Sequence, residues 1–455
     1  MRLRLLAAGL TAGLVSLAAP SAEAFCGFYV GKADTSLFNE ASQVVLARDG
    51  ERMVVTMSND YKGELTDFAL VVPVPVVLKR EQIHVGERKF IERVDAYSAP
   101  RLVEYFDGDP CAQRRSVSQS LPSSVAAGAP SAPSPARRKS LGVTVEAEYT
   151  IGEYDIVLLS AKESTGLETW LTESGYKIPP RAAKALEPYI KQDMKFFVAK
   201  VNLKEQKATG FNYLRPLQMA YESKKFMLPI RLGMANARGP QDLVIYALTR
   251  TGLVESSNYR TVKVPSDMDI PVYVKGEFSK FYPALFEKAH QKAEKKALFT
   301  EYVWDMGWCD PCAADPLSPE ELKGLGVFWL DEGSPQPGMG RGRPMMGGAS
   351  PVVLTRMHAR YDGEHFPEDL VFQETNDRQN FQARYVLRHA FKGSLQCEAG
   401  KQYLAQLDKR HQKEAETLAE LTGWDLGTIT QKMGDDAPGK KTGKKEDEWY
   451  KKLWK

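Results

Sequence analysis

A chain of 455 residues with 43% hydrophobic and 26% charged side chains has the composition of a folded globular protein, long enough for two or three ordinary domains or one large one with insertions. Its formal charge of +3 is close to balance and gives no global case for nucleic-acid binding. Beyond the N-terminus no stretch approaches the roughly 20 apolar residues of a membrane helix, which argues against a helical span in the mature chain.

Residues 1–24 read as a secretory signal. Arg2 and Arg4 form a basic start, Leu5 to Ala19 a short apolar core, and Ala22 and Ala24 supply small residues before a cleavage point. Phe25 is too large for the position before a lipidated cysteine, so a soluble exported product is expected. Cleavage removes two arginines and one glutamate and leaves +2. Export makes disulfides the default for Cys26, Cys111, Cys309, Cys312 and Cys397, with one cysteine left over. The preferred pairing is Cys26–Cys111 and Cys309–Cys312 with Cys397 free. The rival joins Cys309 or Cys312 to Cys397.

The N-terminal block, 25–111, is β-rich. QVVLAR and RMVVTM flank Asp49-Gly50, a hairpin signal. Asp67 to Pro75 is a strand whose prolines push its far end to a sheet edge. Ile83 to Arg93 is read as strand, turn and strand about Gly86-Glu87, and PRLVEYF at 100–106 as a short helix. Residues 112–140 are rich in Ser, Ala, Pro and Arg and are expected to be a disordered linker.

A second block, 141–330, mixes both element types. LGVTVEAEY and EYDIVLLSA pair around Ile151-Gly152, and GLETWLT forms a short helix stopped at Gly175. RAAKALEPYIKQ is helical with Ala182, Leu186, Tyr189 and Ile190 on one face. Lys195 to Leu203, Lys225 to Leu232, Asp242 to Thr249 and Tyr259 to Val264 are strands, and a helix covers about 281–298. Residues 331–350 are a Gly/Pro-rich loop. The stretch 351–433 carries VVLTRMHARY, FPEDLVFQET and NFQARYVLRHAF as strands. Its helix, 401–421, has Leu404, Leu407, His411, Ala415, Leu418 and Leu421 at three- and four-residue steps and ends at Gly423. Residues 434–455 form a lysine-rich, disordered tail.

FCGFYV, FALVVPVP, PRLVEYF with Cys111 behind it, GEYDIVLLSA, GLETWL, GYKIP, KFFVAKVNL, WCDPC and RYDGEHFPEDLVFQET followed by NFQARYVLRH occur in this order. The series resembles the bacterial domain-of-unknown-function family 2330 (DUF2330), from Phe25 to about Tyr403. The resemblance implies an exported bacterial protein with paired cysteines, and it supplies no catalytic residue.

Four features bear on chemistry or binding. GWCDPC at 307–312 is spelled like a thioredoxin-type site. However, Pro316 stops any helix after the cysteines, and a new helix starts at Ser318-Pro319-Glu320-Glu321. A disulfide staple is therefore favoured over redox catalysis or zinc, for which Cys397, His389, His358 and His365 are the remaining ligands to consider. His358, Arg360, Tyr361, Asp362, Glu364 and His365, with Glu368-Asp369 after them, form a polar cluster that suits a metal or an acid/base pair. A polar loop between strands is the favoured reading. Met339, Met345 and Met346 invite copper(I), with chance methionines in a linker favoured. Tail lysines interleaved with Trp449, Tyr450 and Trp454 suit an anionic envelope surface, with a merely solvated end that keeps the protein soluble favoured.

These readings combine into an α+β fold, mainly antiparallel sheet from two β-rich blocks, with peripheral helices and a long C-terminal helix. No metal or cofactor is expected, and ligand and partner are unassigned. The expected function is a non-catalytic exported envelope or cell-surface protein that binds or scaffolds. The alternative is an exported hydrolytic or thiol-redox enzyme with a site near Cys309–Cys312 or His358–His365.

Overall fold

The computed structural model describes residues 28–31, 38–62, 68–112, 144–176, 182–210, 213–235, 239–308, 315–330 and 351–439. The linker at 113–140, the Gly/Pro-rich loop, the methionines within it and the lysine-rich end from 440 lie outside the described residues, as do Cys26, Cys309 and Cys312.

The fold is α+β. Two sheets stack over one apolar core, and helices cover their outer faces. The smaller sheet runs Phe28–Gly31, Phe68–Val74, Lys195–Val201, Tyr154–Ser160 and Thr144–Ile151, antiparallel throughout. Alternation divides its side chains. Leu70, Val72, Ile156, Leu158 and Phe197 enter the core between the sheets. Val71, Leu159, Phe196 and Val198 instead pack under the helices Ser164–Glu173 and Ala182–Lys191. Strands covered on both faces read as near-continuous apolar runs, as FALVVPV and KFFVAKV do. Phe28–Gly31 pairs with Phe68–Val74 only as far as Val71, so the Pro73 end is unpaired on that side among the described residues.

The central sheet runs Arg260–Lys263, Ala297–Asp305, Val353–Tyr361, Gln241–Thr249, Phe38–Asp49, Arg52–Lys62, Leu217–Glu222 and Ile83–Val85, and Phe381–Gln382 adds to Ala297–Asp305. It draws strands from both sides of each sequence linker. The hairpin Phe38–Asp49/Arg52–Lys62 forms at the Asp-Gly signal. Asp49 pairs with Arg52 and Gly50 takes φ +63°, so the two turn residues are Gly50 and Glu51. Most pairings are antiparallel. Among the parallel ones is Arg101–Phe106 beside Arg384–His389 in a separate three-stranded sheet.

Four expectations are corrected. After Ile83–Val85 the chain forms a helix, Arg88–Ser98, not a second strand, because Ile91, Val94, Tyr97 and Ser98 recur at helical spacing and are buried. Arg101–Phe106 is a strand, not a helix: its Leu-Val and Tyr-Phe pairs suit a pleated surface, and its partner lies far along the chain. The helix expected over 281–298 is Phe278–Lys292. Glu294 and Lys295 take positive φ and turn the chain into the strand Ala297–Asp305. Of Lys225 to Leu232 only Met227–Leu228 is strand, since Pro229 has no N–H to continue a ladder.

The C-terminal helix, Glu398–Thr422, buries Leu407, His411, Ala415, Leu418 and Leu421 and stops at Gly423 with φ +74°. A further helix, Leu426–Met433, had not been anticipated. The first residues of the polar tail are held in place: Gly434–Asp436 is a 3-10 turn, and the Gly439 N–H donates to Asp408.

Candidate functional site

The densest chemistry lies on the helix-covered face of the central sheet. On Val353–Tyr361 the side chains of Arg356, His358 and Arg360 stand two apart and share a face, while Met357, Ala359 and Tyr361 enter the core behind. The register with Gln241–Thr249 sets Asp242 opposite Arg360 and Tyr246 opposite Arg356. On the other side the Ala297–Asp305 strand slips between Thr300 and Tyr302, a bulge that holds Glu301 on this same face.

The charges alternate along one line. Glu287 accepts from Arg360 at 2.7 Å, and Arg360 grips Asp242 with two bonds of 2.8 and 2.7 Å. His358 stands between Asp242, 3.2 Å from Nε2, and Glu301, 2.9 Å from Nδ1. Arg356 donates to Glu301 at 2.6 Å and to Asp95 at 2.6 Å. Tyr282 donates to Glu301, Tyr246 donates to Asp95, and Gln43 donates to the Tyr246 hydroxyl. The His358 ring stacks on Phe286 with centroids 3.8 Å apart. Each cation in the line sits between two anions.

That order sets the protonation states. Burial opposes a charged imidazole at His358, but Glu301 and Asp242 outweigh it and hold the ring up to about 9. Burial likewise opposes ionisation of Glu301, yet Arg356, His358 and the bonds from His358 and Tyr282 bring it down to about 2. Asp242 is also held well below its ordinary range: burial opposes this, and His358 and Arg360 outweigh it. With both ring nitrogens donating to carboxylates, His358 offers no lone pair to a substrate, and Glu301 is no proton donor near neutrality. The contacts along the line are charge-assisted hydrogen bonds between paired ions.

A pH test follows. His358 rises in the fold from an ordinary 6.5 to about 9, so its stabilisation is complete below about 6.5 and is lost as pH climbs through about 9. The loss is on the order of 3 kcal/mol. Burial pushes Glu414 up to about 8, which adds a slope of the same sign between its ordinary 4.5 and about 8. The difference between His358→Gln and the parent is therefore the readout. The variant is expected to be less stable at pH 6 and to converge on the parent by about pH 10. A gap in urea midpoint unchanged from pH 6 to 10 would show that His358 is not held protonated.

The rest of the polar cluster is divided. Asp362 caps its own turn, accepting from the N–H groups of Glu364 and His365 and from His365 Nδ1 at 2.8 Å. Glu364 is exposed. Asp369 is buried elsewhere, holding Arg231 by two bonds and accepting from the Tyr189 hydroxyl. The structure therefore does not join His358, Arg360, Asp362, Glu364 and His365 into one pocket. The expected loop applies to Asp362, Glu364 and His365, whereas His358 and Arg360 sit on a strand. Sequence reading missed Asp95, Asp242, Glu287, Glu301 and Arg356. The signals were the alternation RMHAR and a lone acid inside the apolar run ALFTEYVW.

The cysteine pairing is corrected. Cys111 is bonded to Cys397, so Cys397 is not free, and Cys26 and the Cys309/Cys312 pair are not its partners. Arg101–Phe106 and Arg384–His389 run parallel with Phe106 opposite His389, so the residues just past both strand ends arrive together. The same corner holds His389, 2.8 Å from Glu104 and stacked on Phe106, and Asp107, which accepts from Arg410 and Tyr403. No helix among the described residues is long and apolar enough to cross a membrane.

Among curated proteins and among solved structures, none matches the chain. The model of the family described as "Uncharacterized protein conserved in bacteria (DUF2330)" matches residues 20–373. That span contains every member of the charge ladder and Cys111, and ends before Cys397 and the C-terminal helix. The chain thus belongs to the bacterial DUF2330 family.

Proposed function

We propose that this is an exported, non-catalytic binding or scaffolding protein of the bacterial envelope. One observation carries the reading: the Cys111–Cys397 disulfide ties together segments separated by 286 residues, and such bonds persist in oxidising compartments. The leader-like residues 1–24 agree with it. The non-catalytic part is supported by His358, Arg360 and Glu301, whose polar atoms are engaged by one another and by their neighbours. The lysine- and aromatic-rich end from 440 to 455 supplies contact with an anionic envelope surface.

The test is expression with residues 1–24 in place in a Gram-negative host, followed by fractionation and intact-mass measurement. A periplasmic product beginning at Phe25, with Cys111 and Cys397 oxidised, is the expected result. A cytosolic product that retains Met1 overturns export. A turnover abolished by His365→Asn, with the fold intact, overturns the non-catalytic reading.

A further inference from the structure

A cleft of about 380 Å³ lies between the turn Val272–Glu277 and the helix Leu426–Met433. Tyr273, Glu277, Lys280, Trp424 and Lys432 line it. The Lys432 ammonium stands 3.0 and 2.7 Å from the two oxygens of Glu277 and 5.8 Å from the ring centroids of both Tyr273 and Trp424. Two aromatic faces and a carboxylate around one cation form the arrangement that recognises substituted ammonium groups. The native occupant fits it loosely. Both ring distances are near the outer limit of about 6 Å for this attraction, and the Lys432 side chain is 40% exposed. A quaternary nitrogen, wider by its methyl groups, would touch both rings. Lys280, exposed on the rim and without an ion pair among the described residues, supplies a positive charge for an anionic group on the same ligand.

We propose that this cleft binds a small zwitterion bearing a quaternary ammonium group, and that Lys432 holds the cage until the ligand displaces it. The ammonium group lies between Tyr273 and Trp424 against Glu277, and the ligand's carboxylate or phosphate faces Lys280. The claim stands apart from export: fractionation tests that reading, and direct binding tests this one.

The experiment is isothermal titration of the full chain with glycine betaine, phosphocholine and choline. Lys432→Ala is expected to bind betaine or phosphocholine about tenfold more tightly than the parent, because the internal competitor is gone. Trp424→Leu is expected to lose about tenfold or more. Glu277→Gln, a surface change with little risk to folding, should weaken binding likewise. Lys280→Ala should remove the advantage of the zwitterions over choline. Phosphatidylcholine vesicles distinguish a lipid headgroup from a free solute: cosedimentation of Lys432→Ala abolished by Glu277→Gln places the ligand on a membrane, and its absence alongside solute binding makes the ligand a free solute. If Lys432→Ala releases no heat with any of the three and does not cosediment, the pair Lys432–Glu277 is a surface ion pair and the proposal fails. Binding unaffected by both Trp424→Leu and Glu277→Gln also overturns it.

Discussion

Glu301→Ala is expected to lower the unfolding free energy by about 3–5 kcal/mol, as for a buried pair broken from one side. The Glu301 side chain is 1% exposed and uses both oxygens: one holds Arg356, the other holds His358 and accepts from Tyr282. Without it the Arg356 guanidinium, 8% exposed, keeps only Asp95 as a charged partner, and His358 keeps only Asp242. The cost arises from the stranded cations more than from the lost bonds. Glu301→Gln keeps the shape and some bonding but not the charge, so it should cost less, about 1–3 kcal/mol. The double change Glu301→Leu/Arg356→Met removes both ends of the buried bond and should recover much of the loss. Urea unfolding at pH 7 with an unchanged slope measures all three. A loss under about 1 kcal/mol for Glu301→Ala would mean that water already solvates the line.

The ladder also marks where sequence reading stops. Arg356, His358 and Arg360 stand two apart in a strand, so their common face was legible. Their partners were not: Glu301 is 57 residues from His358, and Asp95 is 261 residues from Arg356. Local pattern carries register only within a hairpin, as at Asp49-Gly50, where the turn fixes it. The helix Ala182–Lys191 and the strand Lys195–Val201 were readable from local pattern alone. Ala182, Leu186 and Tyr189 repeat at a helical period, and KFFVAKV is too continuously apolar for a surface strand. The segment 88–98 carried its helical signal at Ile91, Val94 and Tyr97, and the glycine before it made a hairpin look nearer to hand. PRLVEYF failed differently. Seven residues with a mixed pattern have no period of their own, and pairing with a strand 283 residues later made this one extended.

That same long-range pairing decides the disulfide, whose removal is the other large effect. Cys111→Ser/Cys397→Ser is expected to cost about 2–5 kcal/mol. Restraining a loop of 286 residues gives roughly 5.6 kcal/mol in the chain-entropy treatment, and a compact unfolded chain lowers the figure. The loss should also be local. Cys397 is the N-cap of the Glu398–Thr422 helix, with its sulfur accepting from the Gly400 N–H, so the bond fixes where that helix begins. Amide exchange should therefore quicken in its first turns and change less near Leu418, which stays packed in the core formed with Phe281 and Tyr385. Reductant supplies the control. It should destabilise the parent by nearly the cost of the double serine variant and do little more to that variant. A second loss of similar size in the variant would show that a further bridge, among Cys26, Cys309 and Cys312, stabilises the chain as much as Cys111–Cys397 does.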